Sequence, residues 1–144
     1  MIVPDVNLLV YAYNRDAPDH TASKAWWEGL LNSDTAVGLP WASAIGFVRL
    51  VTHRAVLVSP MQSRRAIDHV RSWHARPNVG VLDPGPRHLE ILGELLEALG
   101  AAGRLTTDAH LAAIAIEHQS ELHSNDVDFA RFPGLRWRNP LKTR

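Results

Sequence analysis

Short apolar runs alternate along this chain with longer segments whose apolar residues recur every three or four positions, and this alternation most narrows the folds open to it. The short runs read as strands: Ile2-Val3 ending near Asp5, Thr35 to Leu39, Val79 to Leu82, Glu121 to His123, and Leu135 to Trp137. The longer segments read as helices. One follows directly from Asp5 through Val6, Leu8, Leu9 and Val10, and a second presents Ala22, Ala25, Trp26, Gly29 and Leu30 behind a capping Asp19. Others run from Trp41 to His53 behind Pro40, and from Met61 to His74 with Ala66, Ile67, Val70 and Trp73 inward. Leu89, Leu92, Leu95, Leu96 and Leu99 mark a further helix, stopped by Gly100 and Gly103. The helix opening at Thr107-Asp108 is apolar on nearly all sides from Leu111 to Ile116, which predicts that it crosses the domain's centre. Strands that alternate with helices pair in parallel, because each return needs a crossover. The expectation is an α/β fold, a three-layer sandwich with a mostly parallel central sheet flanked by helices. Pro4 is the local objection, since a proline removes a ladder donor from a central strand.

A length of 144 residues suits one domain spanning 1–144, and 46% hydrophobic with 21% charged residues is an ordinary globular composition. The absence of Cys excludes disulfides, thiolate nucleophiles and Cys-held zinc or iron–sulfur clusters. No apolar run reaches the roughly 18 to 20 residues of a membrane span. Asp5 also interrupts the place where a signal peptide needs its apolar centre. A cytoplasmic protein with no membrane partner is expected. Basic and acidic residues balance at 15 each, so no global field recruits nucleic acid. All the basic residues except Lys24 and Lys142 are arginine, a skew that suits phosphate recognition but also follows from GC-rich coding.

Ligands of open parallel sheets bind beyond the carboxyl ends of the strands. Asp5 stands there after the first strand, Asp108 lies in the first turn of the apolar helix, and Asp126 and Asp128 follow the strand near residue 122. Taken singly, each has a plain structural use: Asp108 complements a helix dipole, and Ser124-Asn125-Asp126 is turn chemistry. Asp128, two residues from Asp126, points elsewhere if the segment is a strand. Gathered in one cleft, these carboxylates repel one another unless protons or a divalent cation neutralise them. An all-oxygen set without thiolate favours Mg²⁺ or Mn²⁺ over zinc.

Three segments carry a resemblance: Met1-Ile2-Val3-Pro4-Asp5-Val6-Asn7-Leu8-Leu9, Leu105-Thr106-Thr107-Asp108-Ala109-His110-Leu111-Ala112-Ala113, and Ser124-Asn125-Asp126-Val127-Asp128-Phe129-Ala130-Arg131-Phe132-Pro133-Gly134-Leu135. With them the chain resembles, over essentially its whole length, the PIN-domain ribonuclease toxins of bacterial toxin–antitoxin pairs, the VapC family. The resemblance implies metal-dependent endonucleolytic cleavage of RNA, with Asp5, Asp108 and Asp126 as metal-binding catalytic residues and Asp128 in support. A bound cation would lower the pKa of a coordinated water and stabilise charge developing on phosphorus. Asn7 and Thr107 are candidates to orient the carboxylates, and His110 to touch substrate phosphate. A VapB-like antitoxin covering the acidic cleft, an RNA substrate and a homodimer follow from the same resemblance. One position departs from it: many relatives carry Glu in the helix after the second strand, where this chain has Gly46. That loss favours one firmly held ion over two. It also leaves open a PIN fold impaired in cutting that acts by binding RNA or sequestering antitoxin.

Other constellations carry less. Among eight His, His69 and His74 do not share a helix face, and no HExxH occurs. The five Trp suit core or dimer contact at least as well as base stacking. Arg49, Arg54, Arg64, Arg65 and Arg71 form either a phosphate track or a solvated helical face. A phosphoacceptor receiver domain needs a Lys after a late strand, for which Lys142 is badly placed, and a dehalogenase-type phosphatase needs a second acid where Asn7 stands.

Overall fold

The computed structural model describes residues 1–100 and 103–142. Five strands, β1 (Ile2–Pro4), β2 (Val37–Pro40), β3 (Val79–Leu82), β4 (Glu121–His123) and β5 (Arg136–Arg138), form one parallel sheet in the order β3-β2-β1-β4-β5. The helices are α1 (Val6–Tyr13), α2 (His20–Leu31), α3 (Trp41–Val51), α4 (Ser63–His74), α5 (His88–Leu99) and α6 (Thr106–Glu117), with 3-10 turns at Gly103–Leu105 and Val127–Arg131. The predicted alternation of short strands and helices is what the fold contains.

β1 is central despite Pro4. Parallel-strand donors alternate sides: Ile2 N–H reaches Ala36 O towards β2 at 2.9 Å, and Asp5 N–H reaches His123 O towards β4 at 2.9 Å. The N–H that Pro4 lacks therefore falls on the β2 side, where Ile2 and Val37 are the only registered pair. The Pro4 carbonyl is instead satisfied by the buried Ser43 hydroxyl of α3, which donates to it at 2.8 Å. An α3 side chain thus replaces a ladder bond and ties that helix to the end of β1.

One apolar layer is built by the sheet with α1, α2, α3 and α4, around Leu9, Trp27, Phe47 and Trp73; the other, around α5 and α6, collects Val3, Leu122 and Ile114. Three indole and phenyl rings meet edge to face in the first layer, Trp27 with Trp73 at 5.3 Å and Phe47 with Trp73 at 4.7 Å. In α6, Ala109 and Leu111 to Ala115 are buried, as its apolar circumference predicts.

Two helix faces differ from the expectation. In α2 the buried residues are Ser23 and Trp27; Ala22, Ala25 and Gly29 are exposed, and Trp26 and Leu30 lie at the margin. Burying one indole removes more apolar surface from water than burying several alanines, so Trp27 sets the rotation. In α5 the inward residues are His88, Ile91 and Leu95, while Leu89 is 80% exposed. A leucine-rich helix offers two apolar registers, and the contact of His88 with α6 accompanies the observed one.

Candidate active site

β1 and β4 are neighbours, with Pro4 opposite His123, so the residues that come after both strands leave the same sheet edge. At this edge the chain runs to β2 on one side and β4 on the other, the topological switch where clefts form. Asp5 caps α1, accepting from Val6 N–H at 2.8 Å through Oδ1. Its Oδ2 accepts from the Ser124 hydroxyl at 2.7 Å. Ser124 Oγ in turn accepts from Asp126 N–H at 3.0 Å, and its backbone carbonyl accepts from Trp137 Nε1–H at 3.0 Å. Asp126 caps the next 3-10 turn, its Oδ1 accepting from Asp128 N–H at 2.9 Å.

The end of β4 is braced a second time. Trp26 Nε1–H donates to His123 Nδ1 at 3.1 Å, which leaves the ring proton on Nε2 to donate to Glu121 Oε1 at 2.7 Å. Burial holds the His123 pKa below the usual histidine value.

Asp108 enters from the first turn of α6, whose N-terminus meets the same edge. Desolvation first, then the charges of Asp5, Asp126 and Asp128, push its pKa up to about 6 against the opposing charge of Arg104. Burial also raises Asp5, where the bonds from Ser124 and Val6 oppose the shift and Asp126 adds to it. Asp108 is therefore close enough to feel the charge of the other three, and Asp5 that of Asp126. Asp5 and Asp108 face a cleft of about 210 Å³, lined also by Asn7, Ser43, Gly46, Arg49 and Thr107.

Of the residues singled out in the sequence, Asp5, Asp108, Asn7 and Thr107 meet in this cleft, while Asp126 and Asp128 act on it by charge from the β4 loop. Asp128 is also held by Arg104 at 3.2 Å and Arg131 at 4.0 Å. His110 is engaged elsewhere: its Nδ1 meets His88 Nε2 of α5 at 2.8 Å, and it is not part of the cleft lining. Sequence reasoning missed Ser124 and Ser43. No local signal marks Ser124, because its contact with Asp5 follows from β4 lying beside β1.

Gly46 lines the cleft as well, and a Cβ there would stand 2.5 Å from Val6 Cγ2. The place of a larger side chain is thus taken by the residue after Asp5. Among the described residues, no group of three or more His, Cys, Asp or Glu side chains forms a ready-made metal cage. The donors that do face the cleft fit a hydrated hard cation, since Mg²⁺ is usually held by one or two carboxylates and keeps several waters.

The fold and the acidic switch-point cleft define the class first: residues 2–135 match the PIN domain. The chain is 47% identical over 142 residues to Ribonuclease VapC33 of Mycobacterium tuberculosis, covering 99% of each. It is 39% identical over 140 residues to Ribonuclease VapC37 of the same species, covering 97% of each. The chain belongs to the VapC family of PIN-domain ribonucleases. Among solved structures, VapBC2 from Rickettsia felis bound to a DNA fragment from its promoter matches with a TM-score of 0.67 and 21% identity, covering 96% of this chain and 98% of that one. VapC20 of Mycobacterium tuberculosis, a sarcin-ricin loop cleaving toxin, matches with a TM-score of 0.63 and 15% identity, covering 94% of this chain and 99% of that one. These structural likenesses concern the fold. Among the described residues no helix is long and apolar enough to cross a membrane.

Proposed function

We propose that this chain is the endoribonuclease toxin of a toxin–antitoxin pair and that it hydrolyses RNA phosphodiester bonds with Mg²⁺ or Mn²⁺ bound at the acidic cleft. The observation that supports the metal reading best is the mutual repulsion of Asp5, Asp108, Asp126 and Asp128, which contributes to an Asp108 pKa of about 6. Such a cluster is relieved by a doubly positive ion. Asp5 and Asp108 would hold the ion, and Asp126, linked to Asp5 through Ser124, would add its charge from the β4 loop. When bound, the cation lowers the pKa of nearby water and stabilises negative charge developing at phosphorus. Ser124 keeps the Asp5 carboxylate in one orientation, and Asn7 and Thr107 are placed to bond water or phosphate oxygens beside it. Two carboxylates facing the cleft would suit one ion rather than two, with water in its remaining positions. The pair partner is a VapB-like antitoxin, the assembly contains a homodimer, and the site of action is the cytoplasm.

The packing of Val6 against Gly46 favours a second reading, a PIN fold that binds RNA or antitoxin without cutting. Incubation of the purified chain with structured and single-stranded RNA in Mg²⁺, Mn²⁺ or EDTA separates the two. Cleavage abolished by EDTA and by Asp5→Asn supports the hydrolase. Cleavage that survives Asp5→Asn rejects the site, and RNA binding without any cleavage supports the second reading.

A further inference from the structure

Among the described residues, one cation lines the cleft of Asp5 and Asp108. Arg49 reaches it from α3, one turn beyond Gly46 and so about 4.5 Å further along the same helix face. The arginines that make ion pairs are Arg71, Arg87, Arg104 and Arg131; Arg49 has no carboxylate within 4 Å among the described residues. The guanidinium that opposes the repulsion on Asp108 belongs to Arg104. Arg49 is exposed and lines an acidic cleft whose carboxylates it does not neutralise, so its charge is available to a second anion.

The geometry around it selects the kind of anion. An RNA phosphate entering this cleft meets repulsion from the carboxylates, and among the lining residues Arg49 alone offers it an opposite charge. A guanidinium presents parallel N–H donors that match two phosphate oxygens, which an ammonium does not. Gly46 adds no side chain of its own and Val6 fills the wall there, so no acid on α3 stands beside Arg49 in the cleft. Of the arginines that the sequence leaves as a phosphate track or a solvated face, Arg49 alone lines this cleft.

We infer that Arg49 grips an RNA phosphate in the cleft and orients the phosphodiester towards Asp5 and Asp108. The inference rests on the ribonuclease reading and deepens it by naming a substrate contact on the α3 wall of the cleft.

Fluorescence anisotropy with labelled, random-sequence single-stranded RNA in EDTA, across a series of NaCl concentrations, tests it without turnover. Arg49→Ala is expected to weaken binding on the order of ten-fold and to flatten the slope of log affinity against log salt by about 0.7, the loss of one phosphate contact on a single strand. Arg49→Lys is expected to keep the slope and recover part of the affinity, and Arg64→Ala, an exposed α4 arginine outside the cleft, to change neither. Circular dichroism checks that each variant is folded. An unchanged slope in Arg49→Ala, an equal effect of Arg64→Ala, or no measurable binding by the unaltered chain overturns the inference. Failure of the ribonuclease reading shows separately, as absence of cleavage by the unaltered chain in Mg²⁺ or Mn²⁺ while the salt slopes still report on Arg49.

Discussion

Ser124 donates its hydroxyl proton to Asp5 Oδ2 at 2.7 Å, across 119 positions of chain. The bond joins the end of β4 to the end of β1, and it satisfies a carboxylate that is 7% exposed. Ser124→Ala removes that donor and leaves the buried carboxylate short of a partner, at a cost of about 1–3 kcal/mol. Urea unfolding at neutral pH is expected to show this loss, and Ser124→Thr, which keeps the hydroxyl, to recover part of it. Equal losses in the two variants would show that packing, not the hydrogen bond, is what matters there.

The raised pKa of Asp108 makes the stability of the metal-free chain depend on pH in a defined direction. Between the unfolded value near 3.8 and the folded value of about 6, the folded chain holds a proton that the unfolded chain has released. Stability from this group is therefore lost as pH rises through that window. Asp108→Asn lacks the ionisation, so in EDTA the variant is expected to gain on the parent from pH 4 towards pH 7 in thermal melts. A stability difference independent of pH contradicts the shift. Because a divalent cation favours the ionised form, added Mn²⁺ is expected to reverse the trend for the parent alone.

Gly46 and Val6 form a matched pair on the cleft wall. Gly46→Glu is expected to lower stability by about 1–3 kcal/mol, because its Cβ meets Val6 Cγ2 and the wall is already filled. Val6→Ala opens the space, so Val6→Ala/Gly46→Glu is expected to cost less than the sum of the single changes. Additive losses in a double-mutant cycle would remove this account of why the position is glycine.

The rotation of α5 yields a fourth test. Ile91→Ala is expected to cost about 2–5 kcal/mol, as for other buried aliphatic truncations. Leu89→Ala lies on the solvent side and is expected to change stability by less than about 0.5 kcal/mol. Denaturant midpoints with unchanged m-values read both, and a large effect at Leu89 would mean that this face is covered in solution.

Much of the fold was legible because strand length and helix period are local properties. The five strands, the entry at Pro40 and the buried α6 all arise from residues close in the chain. Asp5 and Asp108 were legible through one non-local rule, that a parallel sheet gathers at one edge the loops and helix starts beyond its strands. The features that stayed hidden depend on contacts between distant segments. Trp27 turned α2 away from its alanines by meeting Trp73, and His88 meets His110 across the α5–α6 contact. His110 shares the helix of Asp108 and read as a neighbour of substrate, but its ring is taken up by that partner. Ser124 read as a turn residue because nothing local announces that its hydroxyl faces Asp5. Pro4 read as an obstacle because only the pairing with distant β2 and β4 shows that its missing N–H falls on the β2 side, beyond the Ile2–Val37 pair.

The central claim is that carboxylates drawn from separate segments jointly hold a divalent cation. Calorimetric titration of the purified chain with Mn²⁺ tests it most directly, beside Asp5→Asn and Asp108→Asn variants shown by circular dichroism to be folded. One bound ion is expected for the parent, and binding at least about ten-fold weaker in each variant, equivalent to about 1.4 kcal/mol. Mn²⁺ binding of undiminished strength in both variants, or none by the parent, would contradict it.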